Sequence, residues 1–337
     1  METKLLSNST ADLQEAAHLL KEGNVVGIPT ETVYGLAADA RNPEAVRQIF
    51  AAKGRPADNP LIVHIAKLEE LESVAVSVPE LALKLAEKFW PGPLTMILPK
   101  HPSIPTITSG GLDTVGVRMP SHLVARKLIE LSGVPIAAPS ANISGYPSPT
   151  TAQHVMRDMH GKIAAVVDGG DCCVGVESTV IALEGKDSVR ILRPGYVTKE
   201  MLETVVPHVT LDKAILHQLQ EGQIVRSPGM KYQHYSPHAH VTLIEGRWPE
   251  FAAWVQQHAE AGTYALVFDG EGADLSVPYL TYGTGDAEQA HQVFAKLREL
   301  DDIGAKRVFV RAPNPNGIGL AVYNRLIRAA GFEVIQV

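Results

Sequence analysis

The sequence predicts an α/β protein in two parts: a larger unit on a mixed sheet, then a smaller α/β unit of about a hundred residues. Three observations carry this. Apolar runs of strand length alternate, though not strictly, with stretches of helical periodicity, as when helices cover a mixed rather than a purely parallel sheet. A polar stretch at 222–240, without an acidic residue and with little apolar periodicity, reads as an extended linker. The 337 residues, finally, are enough for about two domains. The expected division is 1–206, a connecting segment at 207–238, and 239–337.

The elements follow in order. Leu13, Ala16, Ala17 and Leu20 recur at helical spacing, with Thr10 as the expected N-cap and Gly23 as the stop. Residues 25–28 read as a buried strand. Asn42-Pro43 opens a helix that ends near Lys53. Strands are expected at 61–65, 94–98 and 115–118, with a helix at 79–89 between the first two. Pro120-Ser121 opens a helix that Gly133 stops, and a strand follows at 134–138. Thr150 or Thr151 caps the next helix. Strands at 163–167, 179–183 and 189–192 close the first unit. In the second, strands are expected at 241–244, 264–268, 308–310 and 333–337, and helices at 248–260, 287–300 and 319–330. No internal repeat is evident.

Composition removes several classes of function. Hydrophobic residues make up 45% and charged residues 20%, ordinary for a globular protein. Lys+Arg is 30 against Asp+Glu 37, a formal charge of -7. That speaks against a surface built to neutralise a long run of nucleic-acid phosphates. The two cysteines, Cys172 and Cys173, are adjacent, which suits neither a disulfide nor a zinc site and fits a reducing compartment. Residues 1–10 lack a basic region followed by an apolar core, so no signal peptide is expected. The longest stretch without Asp, Glu, Lys or Arg, 131–156, is broken by Pro135, Pro139, Pro147 and Pro149 and cannot be a membrane helix. A cytoplasmic protein is expected.

Chemistry concentrates where strands end. Thr30-Glu31-Thr32 follows directly on a strand, where α/β sheets gather ligands; a turn with a helix cap would use the same residues. Lys53-Gly54-Arg55-Pro56, before Asn59-Pro60, sets two cations beside a glycine that permits close backbone approach. It reads as a phosphate site or as a solvated helix end. His64, within an apolar strand, reads first as a core histidine. Trp90-Pro91-Gly92-Pro93 reads as a rigid structural turn. Arg118 stands at a strand end where a helix opens, a natural place for a carboxylate or phosphate. Ala138-Pro139-Ser140-Ala141-Asn142, with Ser144, Gly145 and Ser148, could cradle phosphate. Ser140 lacks a G-x-S-x-G elbow, which counts against a serine hydrolase. No Walker A motif, G-x-G-x-x-G or H-E-x-x-H occurs. Glu177-Ser178-Thr179 begins one strand and Arg193 ends another. Arg55, Arg118 and Arg193, with the Ser/Thr clusters, suggest one polyanionic ligand and one small polar one.

These motifs stand in an order that resembles the YrdC-type domain of L-threonylcarbamoyl-AMP synthases: residues 29–36, Lys53-Gly54-Arg55-Pro56, Asn59-Pro60-Leu61, 90–95, Arg118-Met119-Pro120, 138–142 and Leu192-Arg193-Pro194-Gly195. Residues 227–232 with 234–237 resemble the linker of the two-domain members, so the resemblance spans nearly the whole chain. It implies a YrdC-like twisted mixed sheet around a concave, positive cavity, then a small Rossmann-like domain. The implied reaction makes threonylcarbamoyl-adenylate and pyrophosphate from L-threonine, bicarbonate and ATP, with Mg²⁺. A separate transferase then passes the threonylcarbamoyl group to the adenosine beside the tRNA anticodon. By resemblance, Thr32, His64, Arg118, Ala138 (through its backbone) and Ser178 form the threonine site. Lys53, Arg55, Asn59, Thr114, Ser140, Ser148 and Arg193 form the ATP site, joined by Tyr235, with Tyr232 second. This moves His64 from core residue to ligand contact, and makes the linker a lid over the cavity. Two alternatives stand beside it: a carbamoyl-adenylate former like those in larger cysteine-rich chains, and a non-catalytic RNA-binding module using a local basic patch.

Overall fold

Ser9, rather than Thr10, opens the first helix. Its backbone is extended and its hydroxyl accepts from the Asp12 N–H (3.3 Å), so Thr10 is already the first helical residue. The computed structural model describes residues 2–217 and 234–337, and most of the expected linker, Tyr232 included, lies outside them. After β1 (Lys4–Leu6) and α1 (Thr10–Lys21) come β2 (Val26–Ile28), β3 (Gly35–Asp39), α2 (Pro43–Lys53), β4 (Ile62–His64), α3 (Glu80–Phe89) and β5 (Leu94–Pro99). Then follow β6 (Thr114–Arg118), α4 (Leu123–Ser132), β7 (Ile136–Ala137), α5 (Ala152–Met159), β8 (Ala165–Val167), β9 (Thr179–Leu183), β10 (Ser188–Arg193), α6 (Lys199–Glu203) and β11 (His208–Leu211). The second unit holds β12 (His240–Glu245), α7 (Trp248–His258), β13 (Thr263–Val267), β14 (Tyr279–Thr281), α8 (Asp286–Asp302), β15 (Arg307–Arg311), α9 (Gly319–Ala329) and β16 (Val334–Gln336).

Asn42 caps α2 through its side chain and Pro43 takes the first turn, as the sequence predicts. Gly54 ends that helix in the left-handed region (φ 61°), which turns the chain sharply between Lys53 and Arg55. α4 begins at Leu123, two residues after the expected Pro120-Ser121 opening, because His122 is still extended. Thr151, of the two candidates, caps α5.

The first eleven strands form one mixed sheet, in the order β1-β8-β2-β3-β7-β4-β6-β5-β9-β10-β11. β2–β3, β3–β7 and β4–β7 are antiparallel, whereas β4–β6 and β5–β9 are parallel. β12 to β16 make a second sheet, β14-β13-β15-β12-β16, in which every pairing is parallel. Its helical crossovers match the expected Rossmann-like unit.

The two units share buried surface. Val33, Val174 and Val176 of the first belong to the same apolar cluster as Leu243, Phe294 and Leu326 of the second. Gly175, at φ 83°, lies against α8 so closely that an added Cβ would stand 2.4 Å from the Ala290 carbonyl oxygen. Two buried ion pairs cross the boundary. Arg298 forks onto Asp158 (3.0 and 2.7 Å), and Arg325 Nε meets Glu177 Oε2 at 2.7 Å.

Candidate active site

The mixed sheet brings the ends of distant segments around one cavity of about 740 Å³, its mouth included. Its walls come from the β2–β3 loop, the end of α2, β4, the end of β6, the loop after β7, the approach to β9, the end of β10 and residues 234–235 before β12. The antiparallel turn from β2 into β3 matters locally. Thr30 Oγ1 donates to the Val33 carbonyl (2.6 Å) and accepts from the Thr32 and Val33 N–H groups (3.2 Å each). The turn so closed aims Thr32 at the cavity.

Arg118 ends β6 with 3% of its surface exposed. Its Nη1 donates to Thr32 Oγ1 (2.9 Å), its Nε to the Gly92 carbonyl (3.3 Å), and its Nη2 stands 2.5 Å from Glu31 Oε1. The turn at 90–93 therefore does more than shape the chain, because its carbonyl holds the arginine. Burial pushes the Glu31 carboxyl up, but Arg118 beside it more than offsets this and leaves it below the ordinary range. His64, on β4 beside Arg118, donates from Nδ1 to the Ile62 carbonyl (3.2 Å) in the tautomer that leaves Nε2 an acceptor. Burial, then the neighbouring Arg118 charge, holds its pKa at about 3, so the ring is neutral.

Ser178 and Arg193 form a second wall. Arg193 donates from Nε and Nη2 to the Ser178 carbonyl (3.2 and 3.0 Å), and Nη2 also reaches Ser178 Oγ (3.2 Å). Thr95 Oγ1 lies 2.8 Å from the same hydroxyl. Gly195 lies against this backbone, since an added Cβ would stand 2.4 Å from the Thr179 nitrogen. Arg55 lines a third wall and donates from Nη2 to the Asn59 and Pro60 carbonyls (3.4 and 3.3 Å). The Ala138 N–H is taken by the Ile62 carbonyl (3.1 Å).

Thr32, His64, Arg118, Ala138, Ser178, Lys53, Arg55, Ser140, Arg193 and Tyr235 all line this cavity, so the expected threonine and ATP residues fall in one place. Three expected residues do not line it. Thr114 begins β6, four residues and therefore about 13 Å of strand from Arg118. Ser148 lies behind the wall and donates to Glu177 Oε1 (2.5 Å). Asn59 is buried beside Arg55, and its side-chain amide meets no partner among the described residues. Lys53 departs from the expected phosphate contact in another way. Its ammonium is buried and donates to the carbonyl oxygens of Ser140 and Asn142, the latter at 2.7 Å, so it supports the loop after β7. Burial, and then Arg55, place its pKa well below the lysine range.

The residue-by-residue threonine and ATP assignments left out Thr30, Asn142, Ser144, Glu177 and His234, all of which line the cavity. Each sat in or beside a motif already singled out, so proximity was the available signal. Glu177 is the one carboxylate among the described lining residues. Burial pushes it up, but Arg325 and then Arg193 hold it below the ordinary range. Among the described residues no His/Cys/Asp/Glu cluster could hold a metal, and no helix is long and apolar enough to cross a membrane.

Fold and cavity together define a two-unit α/β protein with a cationic, hydroxyl-lined cleft at its strand ends, a site class suited to anionic ligands. The Sua5/YciO/YrdC family model, described as telomere recombination, matches residues 18–195. A model described as the C-terminal domain of threonylcarbamoyl-AMP synthase matches residues 197–331. The chain belongs to the Sua5/YciO/YrdC family, in the form that carries the Sua5 C-terminal domain. The threonylcarbamoyl-AMP synthase of Pyrococcus abyssi is 46% identical over 327 residues, covering 96% of this chain and 95% of its own. That of Bacillus subtilis is 44% identical over 342 residues, covering 99% and 97%. The crystal structure of P. abyssi Sua5 complexed with L-threonine matches with a TM-score of 0.93 at 43% identity, over 100% of both chains.

Proposed function

We propose that this chain is a threonylcarbamoyl-AMP synthase, a nucleotidyltransferase that joins L-threonine, bicarbonate and ATP into threonylcarbamoyl-AMP with release of pyrophosphate. One observation carries the reading: Arg55, Arg118 and Arg193, far apart in sequence, line a single cleft together with Thr32, Ser140 and Ser178. Near full-length similarity to relatives of that name supports the choice of substrates.

In this reading Arg118, already held by Thr32, Gly92 and Glu31, receives the threonine carboxylate. Neutral His64 offers Nε2 as an acceptor near it. The threonine amine adds to CO2 with loss of a proton, or to bicarbonate with loss of water, to give a carbamate, whose oxygen attacks the α-phosphorus of ATP while pyrophosphate leaves. Arg55 and Arg193 hold phosphate oxygens, and Lys53 fixes the loop of Ser140 and Asn142 beneath them. Positioning and charge neutralisation supply the catalysis. Magnesium arrives as the substrate complex MgATP, which agrees with a cleft lined by arginines and one carboxylate already engaged by Ser148 and Arg325. The buried walls of the cleft keep water away from the carbamate, and residues 234–235, from the expected lid, line it. The adenylate then passes to a separate tRNA threonylcarbamoyl transferase, and in this reading the enzyme works in the cytoplasm.

The test is incubation with MgATP, L-threonine and bicarbonate, with mass detection of the adenylate and L-serine in a parallel reaction. A threonylcarbamoyl-AMP peak that depends on both threonine and bicarbonate is expected. ATP hydrolysis without that peak, or a steeply salt-dependent RNA affinity with no adenylate, refutes the reading.

A further inference from the structure

α9 is buried along its entire length, unlike a helix whose outer flank faces water. It lies between the second sheet and the first unit. Asn324 Nδ2 donates to the Ile215 carbonyl (2.7 Å) and Arg328 Nη2 to the Ala214 carbonyl (2.8 Å). Between them Arg325, with no exposed surface, reaches behind the cleft. An arginine carries five N–H donors in a rigid fork. Nε donates to Glu177 Oε2 (2.7 Å), Nη2 to the Glu177 carbonyl (3.3 Å), and Nη1 to the Pro194 carbonyl (3.0 Å) and Asn324 Oδ1 (2.8 Å). Its guanidinium carbon lies 5.5 Å from the centre of the Tyr235 ring, which in turn packs 5.2 Å from Phe294 of α8.

Apart from Asn324 on α9 itself, each partner is a cavity wall or its immediate neighbour. Glu177 lines the cavity, receives the Ser148 hydroxyl and precedes Ser178. Pro194 follows Arg193, and Tyr235 lines the cavity as well. The fork therefore fixes the spacing between the approach to β9, the end of β10 and residue 235. It also supplies the counter-charge for the one carboxylate facing a site meant for phosphates. A second buried pair of the interface, Arg298–Asp158, donates to the Pro147 carbonyl and, among the described residues, makes no hydrogen bond to the cavity lining, although both charges act on the buried Lys53.

We propose that Arg325 is a positioning residue of the cleft: from outside the cavity it sets Glu177, the Ser178–Arg193 contact and Tyr235, so that the second unit completes a binding site whose lining belongs mostly to the first. For its kinetic readout the inference rests on the synthase reading.

The experiment compares Arg325→Lys with Arg298→Lys. Both keep their charge and both sit in the same interface, but a lysine cannot reach the Glu177 side chain and two separate carbonyls at once. Arg325→Lys should raise the KM for ATP about tenfold or more, the scale of losing a support behind a ligand-binding group, with a smaller effect on kcat. Arg298→Lys should stay within about twofold of wild type. Equal losses in the two variants, or wild-type kinetics in Arg325→Lys, overturn the proposal. A wild type that makes no adenylate refutes the synthase reading instead. Amide hydrogen exchange then decides: it should quicken at 176–178 and 193–195 in Arg325→Lys only, and unchanged or equally quickened exchange in the two variants overturns the proposal.

Discussion

Glu31→Gln is the most informative single perturbation of the cleft. Glu31 Oε1 stands 2.5 Å from Arg118 Nη2, with side-chain exposures of 5% and 4%. Glutamine keeps the shape but removes the charge, leaving a desolvated guanidinium with only neutral partners: the new amide oxygen, the Thr32 hydroxyl and the Gly92 carbonyl. Breaking a buried pair from one side costs about 3–5 kcal/mol, and since glutamine can still accept one hydrogen bond the lower figure, about 3 kcal/mol, applies. For a folded unit of this size that corresponds to a melting temperature lower by about 6–12 °C. Glu31→Gln/Arg118→Met leaves no lone charge and should recover most of the loss. If the threonine carboxylate binds Arg118, saturating L-threonine should raise the melting temperature of Glu31→Gln more than that of wild type, because only the variant regains a missing anion. Scanning calorimetry with and without L-threonine measures all of these. A drop of less than about 2 °C, or a double variant no more stable than Glu31→Gln, refutes the argument that the pair is energetically coupled.

Other outcomes follow from the same geometry. Arg55→Ala should cut threonine- and bicarbonate-dependent pyrophosphate release by about a hundredfold, the scale of one lost electrostatic contact to the transition state; turnover near wild type excludes Arg55 from the phosphates. His64, with a pKa of about 3 when folded, binds its proton above that value only in the unfolded chain. Stability should therefore fall as pH drops below about 6.5, by about 2 kcal/mol from this residue by pH 5. Denaturant titrations at pH 7 and 5 should show a shallower dependence in His64→Asn, and an unchanged slope contradicts the assignment. Gly175→Ala should cost about 2–4 kcal/mol, because a Cβ there meets the α8 backbone at 2.4 Å. Gly170→Ala, at a similar φ of 84° with nothing within 4 Å, should cost only the backbone strain of about 1–2 kcal/mol, so equal calorimetric losses would remove the interface argument.

The long periodic elements were legible in the sequence because burial and periodicity agree in them. Leu13, Ala16, Ala17 and Leu20 are all buried in α1, and the Asn42-Pro43 start falls where expected. β1, β3, α6, β11 and β14 went unread for physical reasons. β1 and β14 have three residues each, too few for an alternation to show. β3 is Gly-Leu-Ala-Ala-Asp, without a β-branched or aromatic residue, and is a strand only because β2 and β7 flank it. The arginines of the cleft were legible as strand-end cations, but which atoms they meet was not. That Lys53 would turn under the Ser140 loop, or that Gly92 would offer its carbonyl to Arg118, depends on contacts across dozens of residues. The contribution of Arg325 lay further out of reach, since an arginine in an amphipathic helix looks like a surface residue until both faces of the helix are covered.

Parting the two halves would have an electrical cost. Asp158 and Glu177 carry their charge into the interior because Arg298 and Arg325 accompany them from the other half. A fragment stopped at residue 206 would open both carboxylates to water, one of them beside the place meant for triphosphate, while the released remainder would expose Arg298 of α8 and Arg325 of α9 without their partners. A cut in the connecting segment would thus leave each half with buried charges that only the other half neutralises.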